Sequence, residues 1–288
     1  MRIAEETRRR IIEIDRRYRS SWDARSIAHV VGTSPTTVAK ILRQERGPRP
    51  VRYKRPHDRR TRFLRRDVMW SSDFMELPDG REMLKTMDEM SLFRLGWDAE
   101  KTETAEMAVR HAKSIRERMG RWPLIWKYDH GSPFTSELFQ GLLARHKILP
   151  YPIPPRSPWV NGRNERDNRE VRNWLIPVET AKLSAEEFDR DIDEGMLMLN
   201  HIKPRATLGF KKSAEVYFKT AGVEDIPRDG FCAKVRDYEA QIGRMGTERT
   251  LRKAIRMAMQ YWELYEEWTK LPWWDQGVNR TRLLNVSI

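Results

Sequence analysis

Three acids in this sequence stand where residue type and spacing could do chemistry. Asp73 lies in WSSDF, Asp129 in IWKYDHGSPFTS and Glu165 in SPWVNGRNER, with 35 residues between the last two. Asp73 falls within a predicted strand, Asp129 ends another, and Glu165 opens a helix. A strand end followed by Gly131 is where open α/β sheets place ligands, and a helix starting beside that edge brings Glu165 toward both aspartates. Carboxylates gathered in this way are hard oxygen ligands of the kind Mg²⁺ takes. Crowded together without metal they repel and raise a pKa, and bound cations reverse that balance. Other acids have plainer readings: Asp79 is in a Pro-Asp-Gly turn, Asp88 ends a strand, and Asp167 and Glu170 share the Glu165 helix but face elsewhere. Arg169 and Arg172 follow Glu165 by four and seven residues and share its face.

The elements that would position these acids alternate. Val68 to Leu77, Met83 to Asp88 and Leu92 to Trp97 read as strands, and Thr102 to Met119 as a helix. A strand over Leu124 to Asp129, a helix over Thr135 to Lys147 and a short strand over Ile148 to Ile153 follow. The Pro-rich loop PPRSPWVNG then leads into a helix from Asn164 to Leu175. Three consecutive strands followed by alternating helices and strands predict an α/β fold, a five-stranded mixed sheet with flanking helices.

The front of the chain is different in kind. Of 288 residues, 39% are hydrophobic and 34% charged, so a sizeable core can form. The net charge is +13, and all of it sits in residues 1–66, where 20 Lys and Arg face 7 Asp and Glu. A neutral body behind a basic front is the electrostatic footprint of a polyanion binder. Residues 3–19 form an amphipathic helix. ARSIAHVVGTSPTTVAKIL, from Ala24 to Leu42, reads as two short helices broken at Gly32, with Ser34 as N-cap and Pro35 at the first helical position. The outward residues of the second helix are Ser34, Thr36, Thr37, Lys40 and Arg43, short polar groups for base edges and cations for phosphate. Gln44 to Asp67 contains three prolines and many cations, which predicts an extended linker whose Arg52, Lys54, Arg55, Arg59, Arg60 and Arg62 track phosphates.

The motifs resemble those of DDE transposases of the retroviral-integrase type, as encoded by bacterial insertion sequences. The family's W-x-x-D strand is matched by Trp70 to Asp73, and its D-x-G-x-x-F-x-S segment by Asp129, Gly131, Phe134 and Ser136. Its S-P-x-x-N-G-x-x-E-R segment is matched by Ser157, Pro158, Asn161, Gly162, Glu165 and Arg166. Asn200, Pro204, Leu208 and Gly209 match the family's closing motif, although Lys203 and Arg205 replace its usual Arg and His, and His130 replaces the common Asn or Arg. The likeness covers about residues 66–220, and the segment from Ala24 to Leu42 resembles a bacterial helix-turn-helix.

The resemblance implies a ribonuclease H-like core at 67–220, preceded by an all-α helix-turn-helix domain at 1–46 and a basic linker at 47–66. A helical C-terminal region at 221–288 follows. It also implies Mg²⁺ or Mn²⁺ held by Asp73, Asp129 and Glu165, cleavage at element ends, and joining of the freed 3′-hydroxyl to target DNA by direct transesterification. Two ions about 3.5–4 Å apart would activate the attacking oxygen and stabilise the leaving one. Double-stranded DNA and a homo-oligomer pairing two ends are the implied partners, and an ATPase partner protein is compatible with it. Retroviral integrases carry basic residues at the offsets of Arg169 and Arg172 that contact the DNA end. A regulator keeping the core as scaffold has no need of three converging carboxylates; a nuclease without joining activity has the same need as a transposase.

The single Cys232 excludes an intramolecular disulfide and a multi-cysteine zinc site, and no apolar run reaches membrane-span length. A cytoplasmic protein with no membrane partner is therefore expected. In the tail, Ser184 with Glu187 predicts a capping box opening a helix to about His201, and Thr247 to Leu271 reads as a helix burying one stripe on the core or on another subunit. His111, His146 and His201 read as structural, and Trp268, Trp273 and Trp274 as core.

Overall fold

A computed structural model describes residues 4–46, 59–154, 161–175, 183–243 and 245–269. Its strands are β1 (Arg59–Phe63), β2 (Met69–Glu76), β3 (Glu82–Asp88), β4 (Arg94–Glu100), β5 (Ile125–Tyr128), β6 (Leu149–Pro152) and β7 (Tyr265–Thr269). The helices are α1 (Glu5–Arg17), α2 (Ala24–Val31), α3 (Pro35–Arg46), α4 (Ala105–Met119), α5 (Ser132–Thr135), α6 (Glu137–Arg145) and α7 (Gly162–Leu175), then α8 (Ala185–Leu197), α9 (Ser213–Lys219), α10 (Arg228–Ile242) and α11 (Glu248–Tyr261).

The central sheet has the order β4-β3-β2-β5-β6, antiparallel from β4 to β2 and parallel from β2 to β6. This is the predicted five-stranded mixed sheet of ribonuclease H-like type. Because side chains alternate along a strand, its two faces differ. Trp70, Leu84 and Trp126 point to one face and form an apolar core with Ala108, Ile115 and Phe139 of α4 and α6. The other face is polar: Ser71, Asp73, Lys85 and Lys127 lie under α7, and all four are buried.

The N-terminal helices do not stand apart from this body. Ile11, Trp22, Ile27, Val38 and Ile41 join one apolar cluster with Trp174 and Leu175 of α7 and Phe188 and Ile192 of α8. The Arg19 guanidinium donates to Asp191 at 2.7 Å and stacks 4.4 Å from the Trp174 ring centre. α2 ends at Gly32, whose φ of 75° makes the tight turn before α3.

Several expectations need correction. The basic stretch is not a tether along all of 47–66, because Arg59–Phe63 pair as β1 with β7, setting Arg62 opposite Glu266 and burying Phe63 against Tyr265. Arg52, Lys54 and Arg55 lie outside the described residues. The helix predicted over Thr135 to Lys147 breaks at Ser136, which caps α6 by accepting from the Phe139 amide. The helix predicted to Leu271 ends at Tyr261; Glu263 turns with φ 52°, and the aromatic-polar run YEEWT continues as β7. The capping box at Ser184 and Glu187 is present, but after Leu197 the helix widens into a π-turn over Met198–Ile202. α10 went unpredicted because its apolar face is sparse: Phe231 and Val235 alone are buried. With α11 it packs on Val68, Leu124 and Ile125, so the tail's partner is the core. Trp273 and Trp274 lie outside the described residues. No described helix is long and apolar enough to cross a membrane.

Candidate active site

β2 and β5 pair in parallel with Ser71 opposite Lys127. Asp73 lies two residues beyond Ser71 in β2, and Asp129 two beyond Lys127, just past the end of β5. Adjacent strands lie about 4.8 Å apart, and alternation turns the Asp73 carboxylate to the α7 face. Asp73 is 7% exposed, and burial together with the Asp129 charge pushes its carboxyl up, against the pull of Lys85 and two asparagines. Asp129 is half-buried and its Oδ1 accepts from the Gly131 amide at 3.0 Å. The glycine thus fixes the acid at the strand end.

α7 is tied to the same point. Asn161 Nδ2 donates to Asp73 Oδ1 at 3.4 Å and Asn168 Nδ2 to Oδ2 at 2.5 Å, while Ser71 donates to Asn164 at 3.0 Å. Glu165 lies four residues after Asn161 and three before Asn168, on the same stripe of the helix. It is exposed, as are Arg166, Arg169 and Arg172. No group of three or more His, Cys, Asp or Glu side chains among the described residues is close enough to share a metal ion. The structure brings Asp129 within electrostatic reach of Asp73 and brings the Glu165 helix to Asp73, without closing all three into one cluster among the described residues. The donor set fits a hard divalent cation: two carboxylates near one another, each held by neutral amides.

Residues 64–158 match the family model of the integrase core domain. That stretch is similar to an integrase core. The match agrees with the resemblance drawn from the acid motifs to the DDE type. Among solved structures, a chain of the simian T-cell lymphotropic virus intasome in complex with PP2A regulatory subunit B56 gamma is 20% identical, with a TM-score of 0.49 over 66% of this chain and 68% of that one. The HTLV-2 integrase catalytic core domain in complex with magnesium is 19% identical, with a TM-score of 0.45 over 54% of this chain and 99% of that one. The catalytic core of BIV integrase is 18% identical, with a TM-score of 0.43 over 53% and 95%. No curated protein matches the chain.

Beneath α7 lies a buried ion network that sequence reading missed. Asp167 meets Lys85 Nζ at 2.6 Å and also Arg94. Glu170 meets Lys203 at 3.0 Å, Arg205 at 3.0 Å and Arg94 at 3.2 Å. Burial opposes the charged form of Glu170, but Arg205, Lys203 and Arg94 together outweigh it and hold the carboxyl well below the usual range. The two residues that depart from the family's closing motif, Lys203 and Arg205, are therefore partners of one α7 carboxylate. Lys203 also donates to the Ser21 carbonyl at 2.7 Å, linking the N-terminal helices to the same point.

A second buried set holds the start of α7. Glu89 pairs with Lys127 and, at 2.9 Å, with Arg163, which also donates to the Thr61 carbonyl of β1 at 3.0 Å. Burial would raise the Glu89 carboxyl, yet Lys127 and Arg163 bring it down from 4.5 to about 2. A depressed carboxylate adds stability that is fully present above the unfolded value and is lost as pH falls through the folded one. Wild type should therefore lose stability between about pH 4.5 and 2. Glu89→Gln should cost on the order of 3 kcal/mol at pH 7 and flatten that slope, read as urea midpoints at pH 7 and pH 3. Equal midpoints for the two proteins at both pH values would contradict this.

Asp79, Asp88, His111 and His146 make structural contacts. Asp88 accepts from the Asp67 amide at 2.8 Å and from the Ser91 amide and hydroxyl, closing the β3–β4 turn. Asp79 accepts from the Arg81 amide and pairs with its guanidinium in the β2–β3 turn. His111 is buried between Thr86 and Asp98, and His146 stacks on Trp122.

Proposed function

We propose that the chain is a DNA transposase or integrase that binds element ends and catalyses metal-dependent strand cleavage and 3′-hydroxyl strand transfer. One observation carries this reading: Asp73 on β2 and Asp129, just past the end of the parallel neighbour β5, interact through their charges, under a helix that sets Glu165 between two asparagines bonded to Asp73. Asp73, Asp129 and Glu165 would hold Mg²⁺ or Mn²⁺. Bound there, the ions would supply activation of the attacking oxygen and stabilisation of the leaving one.

The chain's own residues prepare that chemistry. Asn161 and Asn168 orient the Asp73 carboxylate, and the Gly131 amide orients Asp129. The ion networks at Glu89 and Glu170 hold both ends of α7 on the sheet, so Glu165 is carried on a braced element. Arg169 and Arg172, exposed on the Glu165 stripe, face solvent where a DNA end would approach. In the joining step a new bond from the 3′-hydroxyl oxygen to phosphorus forms as the old phosphodiester bond breaks, with no covalent enzyme intermediate. The test is incubation of a labelled element end and a target plasmid with the full chain in Mg²⁺ or Mn²⁺. Joined product is expected; cleavage without joining would leave a nuclease, and binding alone a regulator.

Binding of the ends is assigned to α3. Thr36, Lys40 and Arg43 are exposed along one side of the helix, away from the contacts with α7 and α8. The Ser34 hydroxyl is committed to the cap, accepting from the Thr37 amide at 3.0 Å, and the Thr37 hydroxyl lies 2.9 Å from it. Lys40→Ala should weaken binding to all duplexes alike, whereas Thr36→Ala should relax preference at one base pair by about 1–3 kcal/mol. Competition binding with specific and random duplexes separates the two roles; equal losses on both for both variants would remove α3 from base reading.

A further inference from the structure

The first turn of α11 sits against both segments that flank the acid site. Glu248 Oε2 lies 3.7 Å from Nε2 of His130, the residue after Asp129. Arg252 donates to the carbonyl of Pro152, at the end of β6, at 3.0 Å, and pairs with Glu248 at 3.0 Å. His130, which departs from the family motif, is therefore the residue that meets this helix.

The cations of α11 are arranged around those contacts. At about 100° per residue, Arg252, Arg256, Arg249 and Lys253 fall within one arc about 100° wide. It opens from the flank touching Pro152 to the outer face, while Ala254, Ile255 and Ala258 bury the opposite side. Arg252 is anchored, its side chain 12% exposed. Arg249 and Lys253 are exposed, and neither has an ion-pair or hydrogen-bond partner among the described residues. An exposed helix face with no role usually mixes both signs and pairs them at i,i+4. Here four cations share a face with the single acid Glu248, in a body, residues 67–288, whose charges cancel. Arg249 to Arg256 span about 10 Å of helix, the length of about three phosphates along one strand.

We infer that this face of α11 is a DNA-backbone surface, on which Arg249 and Lys253 bind phosphates of the duplex delivered to Asp73 and Asp129. The inference rests on the proposed function and adds to it a contact surface from the C-terminal region. Arg252 is a positioning residue: it fixes α11 to Pro152, and the phosphate contacts fall to its neighbours.

The test is fluorescence anisotropy of the full chain on a labelled duplex of random sequence across a salt series. Arg249→Gln with Lys253→Gln should reduce the magnitude of the slope of log K against log salt by about 2, close to 0.9 per lost phosphate contact. The charge-conserving pair Arg249→Lys with Lys253→Arg should keep the wild-type slope. Arg110→Gln with Lys219→Gln, an equal loss of charge at exposed ion pairs elsewhere, should keep it too. An unchanged slope in the first pair, a slope lost in the charge-conserving pair, or an equal loss in the control pair overturns the surface. If wild type binds and joins DNA while the first pair keeps its slope, this surface alone falls. If wild type binds no duplex, the proposed function falls with it.

Discussion

Asp73→Asn, Asp129→Asn and Glu165→Gln will each abolish strand cleavage and joining while leaving fold and duplex binding nearly intact. Each removes a ligand oxygen set that the others cannot replace, so double variants should be no worse than single ones, the non-additivity of groups acting as a unit. Duplex binding persists because it is assigned to α3 and α11. Removing the Asp129 charge relieves a buried Asp73 carboxyl already pushed up by burial and by that neighbour, so Asp129→Asn should melt at or slightly above wild type. Labelled-end assays beside melting curves check both halves. A single variant with near wild-type joining would take its residue out of the site. Asp88 and Glu170 are both buried in structural contacts. The acid that stands next is Glu103, which the Asp129 and Asp73 charges, after burial and Glu82, push up.

Glu170→Ala is expected to carry the largest stability cost, about 3–5 kcal/mol, because it strips three buried cations of a shared counter-charge. Lys203, Arg205 and Arg94 would then face one another at the foot of α7, with Asp167 alone to balance them and Lys85. Thermal melting should show a drop of many degrees, and joining by the residual folded protein should fall too, as α7 loses its seat. A melting temperature within a degree or two of wild type would mean that the network contributes little to holding α7.

Much of this was legible from local pattern. The strands carrying Asp73 and Asp129 announce themselves by β-rich runs bounded by Pro-Asp-Gly and His-Gly, and the acid motifs place them in order. What was not legible depends on pairing across long separations. Lys85 opposite Asp73 is a consequence of β2–β3 register, and Lys203 beneath Glu170 joins segments 33 positions apart. In sequence, these cations look like any solvated charge. Likewise Arg59–Phe63 read as linker because its partner, β7, lies some 200 residues downstream. Phe63 and Ile11 both belong to cores shared with the body. A fragment starting at Asp67 would therefore lose core packing along with basic charge, and substitutions in place are the cleaner measure of the front end.

Asp73 and Asp129 together would hold a divalent cation in the proposed function. Titration of the full chain with Mn²⁺, read by electron paramagnetic resonance of the free ion, measures this directly. Wild type should take up Mn²⁺, the Asp73→Asn with Asp129→Asn variant should lose that uptake, and Asp79→Asn, in a distant turn, should keep it. Uptake by the double variant equal to wild type would contradict the account.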